Sequence, residues 1–132
     1  MNAKEMIDRL LAFSVRIGKV VDALPETRMG RHVASQLVRA GTAGLPNYEE
    51  ACGAESPRDF VHKLRICLKE LRESRSWLRL ILGAELLPEK RLSGLVDESD
   101  QLCRIIGRFL VTAKGLRVRR RQRSKEEPAG RQ

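Results

Sequence analysis

Hydrophobic residues recur every three or four positions over four long stretches of the chain, which is the spacing of a buried face on an α-helix. The first stretch predicts a helix from about residue 3 to residue 24, ended by Pro25. Its buried stripe comprises Met6, Leu10, Phe13, Ile17, Val20, Val21 and Leu24. The second stretch predicts a helix from Met29 to Cys52. The apolar line on this helix comprises Val33, Leu37, Ala40 and Gly44. Beside it runs a line of polar and small residues: Gln36, Arg39, Ala43, Asn47 and Glu50.

The third helix is predicted to begin at Ser56-Pro57, because a serine cap followed by proline is a common start signal. Its apolar face comprises Phe60, Leu64, Cys67, Leu68, Leu71, Leu78 and Ile81, with Gly83 as the expected end. Pro88 is predicted to open a fourth helix that ends at Lys114-Gly115. Its face comprises Leu92, Leu95, Ser99, Leu102, Ile105, Ile106, Phe109, Leu110 and Ala113. Short connections between such helices predict an all-α, antiparallel up-down-up-down four-helix bundle over residues 1–115.

Composition agrees with a helical chain and adds a strong positive charge. Of 132 residues, 42% are hydrophobic, 33% are charged and only 4% are aromatic. The net charge is +9, and residues 116–132 contribute seven basic and two acidic side chains to it. This segment has few apolar residues and is predicted to be a disordered Arg-rich tail. The localised excess favours encounters with polyanions, of which nucleic acid is the first candidate.

Cysteine and histidine usage offers no support for a metal site or a cofactor. The three cysteines, Cys52, Cys67 and Cys103, have wide and irregular spacing, which fits neither a zinc site nor a disulfide framework. The two histidines, His32 and His62, have no Glu three residues before them, so a di-metal carboxylate bundle is not expected. With no signal-peptide pattern and no membrane-spanning run, the sequence predicts a soluble cytoplasmic protein.

The centre of the chain carries a recognisable signature. The stretches 36–42 (QLVRAGT) and 46–52 (PNYEEAC), followed by 59–64 (DFVHKL) and 77–80 (WLRL), closely resemble a bacterial family of four-helix-bundle proteins. The family is also called the 23S ribosomal RNA intervening-sequence proteins. The similarity spans roughly residues 10–115 and does not reach the tail. The chain departs from the usual family pattern at Gly44 and at Pro46, where small residues such as Ala are expected.

The resemblance implies an up-down bundle that commonly forms a ring-like homopentamer. Genes of this family lie inside ribosomal RNA intervening sequences in some bacteria. A related branch is the accessory variability protein of diversity-generating retroelements, a basic pentameric barrel that binds nucleic acid and a reverse transcriptase. Most members of the family have no assigned activity. The chain is therefore expected to be a homo-oligomer without catalytic residues.

A polar cluster on the second and third helices is the first candidate site: Arg39, Asn47, Glu50, Glu70 and Glu73. Clustered carboxylates beside an arginine could bind a cation or perform acid–base chemistry. The favoured interpretation is structural. Arg39 is expected to pair with Glu70 or Glu73 and Asn47 to tie helix ends, so that the cluster specifies how the helices align.

Two groups of basic residues are candidate contacts for nucleic acid. Four arginines recur every seven residues on the third helix and form a stripe that could follow a phosphate backbone or could simply be solvated: Arg58, Arg65, Arg72 and Arg79. Five arginines in the tail are predicted to contact phosphates independently of sequence: Arg117, Arg119, Arg120, Arg121 and Arg123. Isolated aromatic residues rarely form a base-stacking platform, so Tyr48 and Trp77 are expected to pack within the bundle or at a subunit contact.

The sequence therefore predicts a non-enzymatic, oligomeric scaffold that binds RNA or DNA through its basic surface and tail. The alternative is a protein-interaction adaptor, such as an accessory subunit for a reverse transcriptase, with little nucleic-acid binding of its own. A metal protein or enzyme that uses the glutamates is a third and weaker hypothesis.

Overall fold

The computed structural model describes residues 1–126, apart from the side chain of Arg117. Four α-helices account for most of this range: α1 (Ala3–Ala23), α2 (Arg28–Cys52), α3 (Pro57–Gly83) and α4 (Ser93–Glu126). A short 3₁₀-helix (Glu89–Arg91) precedes α4, and residues 1–126 contain no strand. The prediction of an all-α chain with four helices is confirmed, and the arrangement is consistent with a four-helix bundle.

Side-chain caps fix where the first three helices begin. The Asn2 side chain accepts a hydrogen bond from the Glu5 amide at 2.8 Å, and Glu5 accepts one in return from the Asn2 amide. Thr27 Oγ1 accepts from the Gly30 amide at 3.0 Å, and Ser56 Oγ accepts from the Asp59 amide at 3.1 Å. Each cap satisfies an amide that would otherwise lack a partner in the first turn. The predicted start of α3 at Ser56-Pro57 is confirmed.

One hydrophobic core runs between the helices and contains nearly all of the predicted apolar positions. Phe13, Ile17, Leu37, Leu64 and Leu102 are each at most 1% exposed. The core also buries two hydroxyl groups, which donate to carbonyls one turn earlier on their own helices: Ser74 to Glu70 and Ser99 to Val96. Every buried side-chain nitrogen and oxygen within residues 1–126 has a hydrogen-bond partner, so this core carries no unsatisfied polar cost.

Specific side-chain contacts join each helix to the next one along the chain. Ile17 of α1 lies against Gly41 of α2, whereas Leu10 lies against Gly44. Further along the bundle, Lys63 of α3 bonds Glu50 of α2, while Glu70 bonds Arg39. Between α3 and α4, Arg75 bonds Asp100, near the α4 start.

The fourth helix differs from its prediction at both ends. Pro88 is followed by the 3₁₀-helix, and α4 itself begins at Ser93. More importantly, α4 does not stop at Gly115 but continues to Glu126, so the predicted disorder is wrong for residues 116–126. A single internal glycine costs a helix only about 1 kcal/mol, and the Arg, Gln and Lys residues that follow are good helix formers. Residues 127–132 of the predicted tail lie outside the described residues.

Candidate nucleic-acid interface

The arginine stripe of α3 is exposed along its whole length. Arg58, Arg65, Arg72 and Arg79 all face solvent, and none of them forms a salt bridge within residues 1–126. At a rise of about 1.5 Å per residue, the stripe extends for roughly 30 Å. Because a seven-residue step turns a helix by nearly two full turns, the four guanidinium groups lie along one side of α3. The predicted stripe is thus a row of uncompensated cations.

A groove between α3 and α4 joins this stripe to two further arginines. It has a volume of about 750 Å³ and is lined by Leu68, Arg72, Arg104, Gly107, Arg108, Leu110, Val111 and Thr112. Arg104 and Arg108 are four residues apart, so they lie on the same side of α4. Both are exposed, and neither forms a salt bridge within the described residues. We call this feature the α3–α4 groove.

A second groove, of about 680 Å³, brings the α4 extension beside the start of α3. Its lining is mostly polar and includes Arg58, His62 and Arg65 from α3 and Arg121 from α4, together with Asp59. Arg121 was predicted to lie in a tail separate from the bundle. Because 116–126 are helical, the structure places this arginine beside the α3 stripe instead. One basic surface therefore runs along both helices.

The remaining tail arginines project from the α4 extension. Arg119, Arg120 and Arg123 are exposed, while the side chain of Arg117 lies outside the described residues. Arg120 lines an apolar groove of about 790 Å³ with Tyr48, Phe60, Phe109 and Leu116. The charge of the extension is thus carried on a helix, at positions fixed relative to one another.

Acidic residues reach the α3–α4 contact at only a few points. Arg75 donates to Asp100 at 3.2 Å, which ties the two helices together on the solvent side of the core. Beneath them, burial raises the pKa of Cys103, and this effect is opposed by the positive charges of Arg75 and Arg72. Arg72 is therefore close enough to the core to exert a field on a buried thiol.

The predicted polar cluster forms only in part. Arg39 bonds Glu73 and also donates to Glu70 at 3.3 Å, which links α2 to α3 as the structural interpretation predicts. Trp77 joins the network, since its indole Nε1 donates to Glu73 at 3.3 Å. The ring of His32 packs edge-on against Trp77 with a centroid separation of 5.7 Å. Arg39 is consequently a paired arginine, unlike those of the α3 stripe.

The other two members of the predicted cluster lie elsewhere. Asn47 donates to the carbonyl of Ala43 at 2.8 Å within its own helix, so its role is local. Glu50 bonds Lys63 at 2.7 Å, and this hydrogen bond raises the pKa of Lys63. No group of three metal-ligating side chains occurs within residues 1–126. Arg39, Glu70 and Glu73 therefore form one network, whereas Asn47 and Glu50 make contacts outside it.

The outer surface of α1 and α2 also exposes large apolar side chains. Leu11 and Val15, four residues apart on α1, are 50% and 52% exposed, and Val38 of α2 is 40% exposed. Val38 lies one turn before Gly41, where α2 meets α1. We call Leu11, Val15 and Val38 the α1–α2 apolar patch.

Comparison with known proteins places the chain in a family. The sequence profile of the 23S rRNA-intervening sequence proteins matches residues 4–108. The chain belongs to this family. The match covers α1 to α3 and the first half of α4, and it ends at Arg108, before the extension. The extension is thus outside the part of the chain that matches the family profile.

A solved structure has a similar fold. A protein of unknown function from the S23 ribosomal protein family of Bacteroides thetaiotaomicron is 29% identical, with a TM-score of 0.72. The alignment covers 80% of this chain and 97% of that one. A search of the curated proteins finds no match. Within residues 1–126, no helix is long and apolar enough to cross a bilayer.

Sequence reasoning missed the contribution of α4 to the basic surface. The spacing of Arg104 and Arg108 indicates two cations on one side of α4. The interpretation of α4 used only the spacing of its apolar residues. Their significance depends on α3, because only the packed structure places them beside Arg72.

Proposed function

We propose that this member of the 23S rRNA-intervening sequence protein family is a non-enzymatic, oligomeric scaffold that binds nucleic acid through the basic surface of α3 and α4. In this proposal the up-down-up-down bundle acts in the cytoplasm and assembles as a homopentamer. The observation that carries it is the row of uncompensated arginines on α3, joined by Arg104, Arg108 and Arg121 of α4.

The charge arrangement supports a polyanion as the partner. A cation that is already paired with a carboxylate contributes little binding free energy when it meets a phosphate. An unpaired exposed cation contributes more, because its binding to a phosphate releases counterions. Arg39 belongs to the first class, and the arginines of the α3 stripe belong to the second. The contacts would be made to phosphates, so they favour nucleic acid without specifying its sequence.

The α1–α2 apolar patch supports self-association. Large apolar side chains exposed together are a common feature of protein interfaces. In an oligomer that uses this patch, the basic surface on α3 and α4 would remain free. Repetition of that surface around a ring would raise the effective affinity for a long polyanion through multivalency.

A salt titration of nucleic-acid binding tests the proposal on the full chain. The variant R58Q/R65Q/R72Q/R79Q removes four charges from the stripe and should weaken binding at least about 10-fold near 50 mM salt. The control K19Q/R28Q/K90Q/R91Q removes the same charge from exposed residues that line neither the α3 stripe nor the two basic grooves. It should change affinity by no more than about 2-fold. Absence of binding by the unmodified chain at low salt would rule out the proposal.

The oligomeric part of the proposal has a separate test. Sedimentation equilibrium of the unmodified chain should give a mass several times that of one chain, and L11D/V15D should reduce it to the mass of a monomer. Substitution with Asp exposes no new apolar surface and leaves the core residues of α1 in place. A monomeric unmodified chain at all concentrations would rule out the scaffold.

The exposed apolar patch also favours a second candidate, a protein-interaction adaptor such as an accessory subunit for a reverse transcriptase. On that hypothesis the patch binds a different protein, and a stoichiometric partner recovered from the native host resists nuclease treatment. The small residues of α2 lend it no support, since Gly41 and Gly44 pack against Ile17 and Leu71 of the same chain.

A further inference from the structure

We propose that the α3–α4 groove is a binding site for single-stranded nucleic acid, with bases on its apolar floor and phosphates at Arg72, Arg104 and Arg108. This inference rests on the proposed nucleic-acid binding and adds to it a site, a strand form and residues of α4. It makes the single strand, rather than the duplex, the preferred ligand.

The groove combines two chemical surfaces that a single strand can satisfy together. Its rim carries the three arginines, and its floor is formed by Leu68, Leu110 and Val111. Val111 is 72% exposed, so its apolar side chain is accessible from the groove. A duplex presents phosphates and sugars outward and keeps its bases stacked inside. A single strand can turn unstacked bases toward such a floor while its backbone follows the cations.

Exposed arginines add a second means of holding bases. A guanidinium group is planar and can stack on a base while its edge bonds a phosphate. The floor contains no aromatic residue, so stacking in this groove depends on Arg104 and Arg108, four residues apart on α4. The expected recognition is therefore tolerant of sequence, since every base has a π-face.

The centre of the groove is kept open by a glycine. A Cβ atom built at Gly107 meets no other atom within 4 Å, so the space above this residue is empty. The volume of about 750 Å³ lies within the range of roughly 300–1,000 Å³ for pockets that hold small organic molecules. A nucleotide base is of that class. Gly107 thus provides clearance where a base would lie.

Because the space above Gly107 is empty, a larger residue at this position can fill the groove without removing any charge. The variant G107Q places an amide over the apolar floor, and Gln is a better helix former than Gly, so α4 should remain folded. Gly83, at the end of α3, is the matched control, because a Cβ there also meets nothing within 4 Å. Circular dichroism and thermal unfolding of G107Q and G83Q verify that both variants fold.

Binding is measured by fluorescence anisotropy with the full chain, a labelled single strand of about 12 nucleotides and the duplex of the same sequence. RNA and DNA versions of the single strand are both used. The unmodified chain should prefer either single strand over the duplex by at least about 10-fold. G107Q should remove most of this preference by weakening single-strand binding about 10-fold, while duplex affinity stays within about 2-fold. G83Q should leave both affinities unchanged.

The outcomes separate this inference from the function on which it rests. If duplex and single strand bind equally well, or if G107Q leaves single-strand affinity unchanged, the groove is not a single-strand site and general nucleic-acid binding survives. Equal losses for both ligands in G107Q would likewise overturn it, since a duplex does not need the floor. If neither form binds at low salt, the proposed function itself fails.

Discussion

Around Gly41 the contact between α1 and α2 is closed, whereas around Gly107 the groove between α3 and α4 is open to solvent. A Cβ at Gly41 would lie 2.5 Å from Cγ2 of Ile17, so no side chain fits there. A Cβ at Gly107 would meet nothing within 4 Å. The same residue type therefore allows two helices to touch in one place and keeps a groove clear in the other.

The side chains around the two contacts also differ in character. Leu11, Val15 and Val38 are exposed beside the closed contact, whereas the open groove is lined by exposed Val111 together with arginines that form no salt bridge within residues 1–126. A surface of the first kind suits a protein, and one of the second kind suits a polyanion. On the proposed function, assembly and nucleic-acid binding would therefore use separate faces of the bundle.

The largest expected effect comes from filling the closed contact. In G41V, added carbons collide with Ile17, a fully buried residue with a stiff β-branched side chain. We expect the free energy of unfolding to fall by about 2–3 kcal/mol. In the control G107A, better helix propensity should instead raise it by about 0.5–1 kcal/mol. Urea denaturation measures both, and similar changes in the two variants would abolish the distinction between closed and open contacts.

Neutralising the α4 rim of the open groove should affect binding without affecting folding. R104Q/R108Q removes two uncompensated charges, and we expect single-strand affinity to fall about 10-fold near 50 mM salt. The slope of log affinity against log salt should become shallower by about 0.7 per lost phosphate contact, or about 1.4 in all. Thermal stability should not decrease. An unchanged salt slope would show that these arginines make no contact.

We expect the core beneath the open groove to exclude water, and the ionisation of its buried cysteines tests this. Burial raises the pKa of Cys67 from 9.0 to about 12, and the charge of nearby Cys103 adds to the effect. Since the folded chain keeps the thiol protonated, this group stabilises the fold fully below pH 9, and its contribution is lost as the pH rises toward 12. Between pH 7 and pH 10, unfolding free energy should fall by about 1 kcal/mol because the unfolded thiol ionises.

The variant C67S isolates that contribution. Serine does not ionise in this range and can keep the hydrogen bond that Cys67 Sγ donates to the Gly44 carbonyl at 3.4 Å. The loss of stability between pH 7 and pH 10 should therefore be smaller in C67S than in the unmodified chain by about 1 kcal/mol. Equal losses, measured by urea denaturation at both pH values, would indicate that water reaches the thiol through the groove.

The smallest expected effect concerns the paired arginine on the other side of α3. Arg39 is half-exposed, so its bonds to Glu70 and Glu73 are screened by water. R39Q should lower the free energy of unfolding by at most about 1 kcal/mol and leave nucleic-acid affinity unchanged. R72Q changes an arginine of α3 in the α3–α4 groove. It should lower nucleic-acid affinity and leave the free energy of unfolding unchanged. A loss of affinity in R39Q equal to that in R72Q would mean that pairing does not distinguish the two arginines.

Most of the fold follows from local signals in the sequence. The three- and four-residue spacing of Phe13, Ile17 and Leu37 predicts their burial, and Ser56-Pro57 predicts the start of α3. The end of α4 was mispredicted at Gly115. A low apolar content was interpreted as disorder, although the residues that follow this glycine are good helix formers.

The candidate site was less predictable because it depends on packing between helices. The seven-residue repeat on α3 indicated its own stripe, but nothing local indicates that Arg104 and Arg108 lie beside Arg72. Asn47 and Glu50 were grouped with Arg39 on spacing along α2, yet Asn47 bonds its own backbone and Glu50 bonds Lys63. The partner of a polar side chain is set by the facing helix, which a single-helix pattern does not specify.

Photo-crosslinking of the full chain to a single strand that carries a photoreactive base tests the central claim most directly. Mass spectrometry of the crosslinked peptides locates the base on the protein. We expect crosslinks within the α3–α4 groove, at Leu68 to Arg72 and Arg104 to Thr112, and their loss in G107Q but not in G83Q. Crosslinks concentrated on α1 or α2, unaffected by G107Q, would contradict it.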